Sequence, residues 1–276
     1  MSSIINKFGK LIGLTMGLFI LGISSSSVSN ASDIAVIGWG SLPWDPRELR
    51  VEGQPDHKFS PDGPTLPLAF SRVSQDDRLT LVIDPKTIGQ GRVPAAPAGG
   101  DARALYARSS FKFGNHYDYG GENQSGLSCA IQNLREREGS TNKNDIGYVN
   151  LVKKTFRMTQ LDPVSGAKKT IEGKFTIAGG VVDITNGSGI RKELIPYLKG
   201  LITWSTIHGF KATIWTDLQR NFESKKGHPY SLAAAKTHLR GLAGAKKAKA
   251  LEYIQRAPVA NQLPETNQLL AALQGN

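Results

Sequence analysis

The chain has 276 residues, 39% of them hydrophobic, which is enough for one well-buried core and a small second lobe. Its 30 glycines and 14 prolines fall into no repeat, so collagen-like and low-complexity classes are excluded. The formal net charge is +11 with the basic residues scattered, and the single cysteine, Cys129, excludes an internal disulfide framework.

The amino terminus reads as a leader. Lys7 and Lys10 precede the apolar run LIGLTMGLFILGI (11 to 23), and Ser29-Asn30-Ala31 forms a small-residue cleavage site. The run is shorter than the roughly 20 residues a spanning helix needs, so residues 1 to 31 are expected to be a signal peptide that directs export to the periplasm or beyond, the alternative being an uncleaved amino-terminal anchor. Its removal takes two lysines and no acid, which changes the charge from +11 to +9. No later segment has the length and apolarity of a membrane span. The short Lys-Lys pairs predict solvated faces, not a groove for nucleic acid.

DIAVIGW (33 to 39) is a continuous apolar run with branched residues and predicts a buried strand that ends at a glycine turn. Residues 43 to 64 predict loop. LPLAFSRVS (66 to 74) and RLTLVI (78 to 83) alternate on either side of QDD and predict a hairpin. GQGRVPAAPAGG (89 to 100) predicts a surface excursion, ARALYARSS (102 to 110) a strand, and KFGNHYDYGGENQ (112 to 124) a loop. Leu127, Ala130, Ile131 and Leu134 recur at helical spacing, so a helix is expected from about Ser125 to Arg137, with Cys129 as an inert buried thiol on it.

IGYVNLVKKTFRMTQL and KKTIEGKFTIA predict two strands joined at DPVSG. In SGIRKELIPYLKGLITWSTIHGF, an apolar stripe predicts a helix that Pro196 perturbs. KATIWTDL (211 to 218) predicts a strand, and three helical stretches near 229 to 241, 243 to 256 and 264 to 273 close the chain. The expected architecture is one α+β domain over residues 32 to 276, with a helical carboxy-terminal extension from about 225.

The histidines at 57, 116, 208, 228 and 238 are far apart and no metal-ligand spacing occurs, so no metal or other cofactor is expected. IGWGSLPW (37 to 44) matches neither the nucleophile elbow nor a phosphate loop. A strand followed by Gly-x-Gly-Ser can still converge backbone N–H groups on one point. Glu136 and Glu138 in LREREGS sit at a helix end, where a charged terminus is the plain expectation. The strand that follows Gly139 offers Glu138 a route into a cleft.

IGWGSLPWDPRELR, DGPTLPLAFSRVSQDDRLTLVID and LREREGSTNKNDIGYVNL, in that order, resemble the gamma-glutamylcyclotransferase-like superfamily, in particular a bacterial branch of it. The likeness covers about residues 33 to 151, and WTDLQRNF (215 to 222) with ALEYIQRAP (250 to 258) resembles the end of the same branch. It implies a mixed β-barrel or sheet with flanking helices and a substrate carrying a gamma-glutamyl group. It further implies a substrate turn at Trp39, Gly40, Ser41 and Leu42, an acid/base residue at Glu138, and Tyr148 close to the pocket. Trp39 departs from the superfamily's usual tyrosine and lacks its phenolic hydroxyl.

The reaction so implied is closure of 5-oxoproline by attack of the alpha-amine on the gamma-carbonyl, with release of an amine. A single partly buried carboxylate can carry the proton, and the backbone of Gly40 to Leu42 would hold the carbonyl oxygen. On this view Gly40→Val abolishes binding without unfolding the domain. The same residues also fit a catalytically silent module that recognises a gamma-glutamyl or peptide ligand. A weaker alternative is a basic protein drawn to polyanions. The leaving amine and the oligomeric state are not legible.

Overall fold

A computed structural model describes residues 33–53, 59–88, 102–162, 165–187 and 189–275. The leader and the excursion expected at 89 to 100 lie outside them. In chain order the elements are strands β1 (Ile34–Gly38), β2 (Thr65–Leu66), β3 (Leu68–Val73) and β4 (Leu79–Ile83), helix α1 (Pro85–Ile88), then β5 (Ala102–Arg103), β6 (Leu105–Arg108), β7 (His116–Tyr119) and β8 (Glu122–Ser125). Helix α2 (Gly126–Arg137) follows, then β9 (Ile146–Asn150), β10 (Thr155–Leu161), β11 (Lys168–Ala178) and β12 (Val181–Asn186). The chain continues through α3 (Ile195–Ile207), β13 (Ala212–Thr216), α4 (Phe222–Lys226), α5 (Leu232–Arg240), α6 (Gly244–Gln255) and α7 (Thr266–Gln274).

The main sheet has seven strands in the order β12-β11-β10-β9-β13-β1-β6. It is mixed, because β1 and β13 run parallel while the other neighbours are antiparallel. The sheet ends at β12 and β6 and does not close into a barrel among the described residues, so the α+β class holds in its open-sheet form. β1 lies between β13 and β6, one strand in from the edge, and both its faces are covered, which explains its unbroken apolar run. Ile34 and Val36 join a cluster with Cys129, Ala130 and Leu134 of α2, while Ala35 and Ile37 join the larger cluster with β3, β4 and the carboxy-terminal helices.

Three local expectations change. Residues 112 to 124 contain the hairpin β7-β8, turned by Gly120 and Gly121 with φ of 67° and 80°, because a two-residue Gly-Gly link fits the twist of paired strands. IGYVNLVKKTFRMTQL is two antiparallel strands reversed at Leu151 to Lys154, where Lys154 adopts φ 54°. Pro196 starts α3 instead of perturbing it, since its missing N–H costs nothing in the first turn. Cys129 is buried as expected, and burial pushes its thiol up from the ordinary value.

The carboxy-terminal helices are part of the core. Ala235, Leu239, Tyr253, Ile254, Leu269 and Leu273 share the cluster that contains Trp39 and Phe70. No helix among the described residues is long and apolar enough to cross a membrane.

Candidate functional site

The glycine turn follows β1 directly. Gly40 has φ 59°, a left-handed conformation that favours glycine, and the Leu42 N–H closes the turn on the Trp39 carbonyl at 3.3 Å. The Trp44 and Asp45 N–H groups both donate to the Ser41 carbonyl. The N–H groups of Gly40 and Ser41 have no hydrogen-bond acceptor among the described residues. Of Gly40, Ser41 and Leu42, the first two therefore keep their backbone N–H groups free among the described residues, and Leu42 does not.

Helix α2 starts at the Ser125 cap, whose side chain accepts from the Ser128 N–H, and stops at Gly139, where φ is 64°. Asn133 and Arg137, four residues apart, lie on one face and are buried. Asn133 Nδ2 donates to the Glu48 carbonyl at 2.9 Å, and its Oδ1 accepts from the Arg50 N–H at 2.7 Å. Arg137 reaches further: Nη2 donates to the Asp45 carbonyl at 2.6 Å and to Ser41 Oγ at 3.2 Å, while Nη1 donates to Glu138 Oε1 at 2.7 Å. One buried guanidinium thus ties the turn to Glu138, almost a hundred residues away in the chain.

Trp39, Ser41, Leu42 and Glu138 line one cleft of about 730 Å³, whereas Gly40 is not among the lining residues and sits behind Tyr253. Glu138 is 15% exposed at its side chain, whereas Glu136 is exposed on the helix and accepts from Tyr119 Oη at 2.6 Å. The two glutamates of the motif therefore separate. Tyr148 is not among the residues lining the cleft. It packs under α2 with the Arg157 guanidinium 4.9 Å from its ring centroid, because alternation along β9 sends Val149 to the cluster that contains Trp39 and Tyr148 to the opposite one.

The indole of Trp39 is 8% exposed and its Nε1 donates to the Leu81 carbonyl at 3.0 Å. Its one polar atom is committed to β4. A hydroxyl reaches the turn from another element: Tyr253 of α6 lines the cleft, and a Cβ added to Gly40 would land on its Oη and 2.9 Å from its Cζ. Tyr253 Oη accepts from the Leu81 N–H at 3.2 Å, which leaves its own proton for donation. Burial, with Glu138 nearby as a smaller influence, pushes this phenol up to about 12, so it is a neutral donor at any ordinary pH. Tyr253 lies in ALEYIQRAP, and no spacing rule connects that segment with residue 40.

Asp145, Arg72 and Lys168 complete the polar wall. Asp145 accepts from Ser140 Oγ at 2.7 Å and from Lys168 Nζ at 2.9 Å. Behind it the buried Asp217 donates its N–H to the Asp145 carbonyl at 2.7 Å and accepts from the Thr159 N–H, fixing the loop to β10. Burial, the dominant cause, pushes the Asp217 carboxyl up to about 7.

This shift has a sign. The folded state holds the Asp217 proton where the unfolded chain has released it, so the contribution of this group to stability is full below about pH 4 and is lost as pH rises through about 7. The full swing corresponds to about 4 kcal/mol. Asp217→Asn, which keeps an oxygen for the Thr159 N–H, is expected to flatten that fall. Chemical denaturation at pH 5 and pH 8 checks it, and an equal pH slope in both proteins would count against the assignment.

Among the described residues, no three His, Cys, Asp or Glu side chains gather to hold a metal ion. Comparison of the chain with protein-family models, with curated proteins and with solved structures found no match.

Proposed function

We propose that the protein is an exported gamma-glutamyl cyclotransferase-like enzyme that closes 5-oxoproline from a gamma-glutamyl compound and releases an amine. The observation that carries this reading is that one cleft is lined both by Trp39, Ser41 and Leu42 of the turn after β1 and by Glu138, tied together by Arg137. In this mechanism the N–H groups of Gly40 and Ser41 and the Tyr253 hydroxyl are the donors toward the gamma-carbonyl oxygen as negative charge develops there. Glu138 takes a proton from the alpha-amine as its nitrogen bonds to the gamma-carbon, and returns it to the departing nitrogen as the amide C–N bond breaks. Nucleophile and electrophile belong to one molecule, so holding the glutamyl chain folded supplies much of the acceleration.

A silent recognition module is the second reading, favoured by one feature. Two polar side chains of the site already have protein partners, Trp39 in the Leu81 carbonyl and Glu138 in Arg137. Incubating the purified protein with a panel of gamma-glutamyl amino acids, peptides and amines, and assaying 5-oxoproline, separates the two. Release from at least one compound supports the enzyme; binding of several without release supports the module.

A further inference from the structure

A second cleft, of about 780 Å³, opens beside the first, and Arg72 and Lys168 line both. Most cations on its wall are already paired. Lys168 holds Asp145, Arg191 holds Glu193, and Arg220 faces Asp84 at 3.9 Å. Arg72 differs: its Nη1 donates to the Gln219 carbonyl at 2.9 Å, and it makes no ion pair among the described residues.

The position of Arg72 is fixed by its strand. The β3-β4 ladder shifts register between Ala69 and Arg72, and Asn221 holds the strand at Ser71 and Val73, on either side of Arg72 in the chain. Asn221 Oδ1 accepts from the Val73 N–H at 2.7 Å, Nδ2 donates to the Val73 carbonyl at 3.0 Å, and the Asn221 N–H donates to the Ser71 carbonyl at 3.2 Å. Burial pulls the Arg72 guanidinium down from its ordinary value, and Asp145 and Glu138 only partly offset this. Ser71, also on the second cleft, is fully buried and its Oγ has no hydrogen-bond partner among the described residues. A half-buried cation without a counter-ion is costly, and an incoming anion relieves that cost.

We propose that the second cleft is a carboxylate-binding subsite anchored by Arg72, which receives an acidic group on the part of the ligand that extends beyond the glutamyl half. The subsite rests on the gamma-glutamyl reading for what fills the first cleft. Arg72 stands where the two clefts meet, so a ligand held at the Gly40 turn has Arg72 along its path into the second. The wall also carries Asp162, Glu193 and Glu223, but five cations outnumber these three carboxylates and Arg72 stands at the entrance, so a cationic leaving group such as a polyamine is disfavoured against an acidic one.

Gamma-glutamylalanine and gamma-glutamylethylamide test this, because they differ only in the carboxylate. Calorimetry on the whole protein is expected to show at least about ten-fold tighter binding of the alanine compound. Arg72→Gln should remove that preference by weakening the alanine compound alone, and Arg72→Lys should keep part of it. Equal affinity of the native protein for both, loss of both in equal proportion in Arg72→Gln, or no binding of either would overturn the subsite. The native preference requires no variant to fold. An Arg72-dependent preference without 5-oxoproline release keeps the subsite and removes the enzyme; release from both compounds at equal affinity does the reverse.

Discussion

Glu138→Gln is expected to lower 5-oxoproline release by about 10²- to 10⁴-fold, the range typical for loss of a positioned acid/base group. The amide is nearly isosteric and its oxygen can still accept from Arg137 Nη1, so the tie between the turn and the helix end survives. What is lost is the site that accepts a proton from the alpha-amine. The substitution also leaves the buried Arg137 without its carboxylate, and Glu138 is partly exposed, so a stability cost of about 1–3 kcal/mol is expected. Rates should therefore be compared at a temperature where both proteins are folded. Retained turnover in the variant would remove Glu138 from the chemistry; unchanged substrate affinity with lost turnover would place its effect in the reaction step.

Gly40→Ala is expected to destabilise the protein by about 3–5 kcal/mol, from a left-handed residue that no longer lacks a Cβ and from a methyl forced against a packed ring. The ring is Tyr253, whose hydroxyl occupies the space that the methyl would fill. This alters the sequence-based expectation for Gly40→Val, because a larger side chain at this position unsettles the fold before it tests binding. Tyr253→Phe in the same chain should recover part of the loss, since it removes the nearest atom while Cζ remains 2.9 Å away. Denaturant midpoints of the four proteins in this cycle measure the coupling, expected at about 1–2 kcal/mol. Strict additivity would mean that the turn and α6 do not meet as described.

Local signals carried much of the secondary structure. The first strand was legible because β1 is buried on both faces and reads as an unbroken apolar run, and α2 because its apolar spacing, Ser125 cap and Gly139 stop all agree. The hairpin at His116 to Ser125 was less legible, since its strands carry polar residues on a partly exposed face and give no hydrophobic alternation. The reversal at Leu151 to Lys154 was hidden for another reason: it uses a non-glycine residue at positive φ, which leaves no glycine or proline to mark it.

From the sequence by itself came the glycine turn, the helix end with its glutamate, the buried cysteine and the α+β class, each set by residues adjacent in the chain. Tertiary structure alone decided which of them meet. Arg137 reads as one charge in LREREGS until burial and its bonds to Ser41 and Asp45 turn it into the tie across the cleft. Tyr253 and Arg72 lie on elements whose docking against the turn depends on how the whole core packs. Tyr148 shows the reverse: one step of strand alternation sends its ring away from the cleft that its neighbours in the motif suggested. Chain neighbours fix local conformation through short-range sterics and periodicity, whereas a site assembled from residues forty to two hundred positions apart exists only once the apolar faces have been buried together.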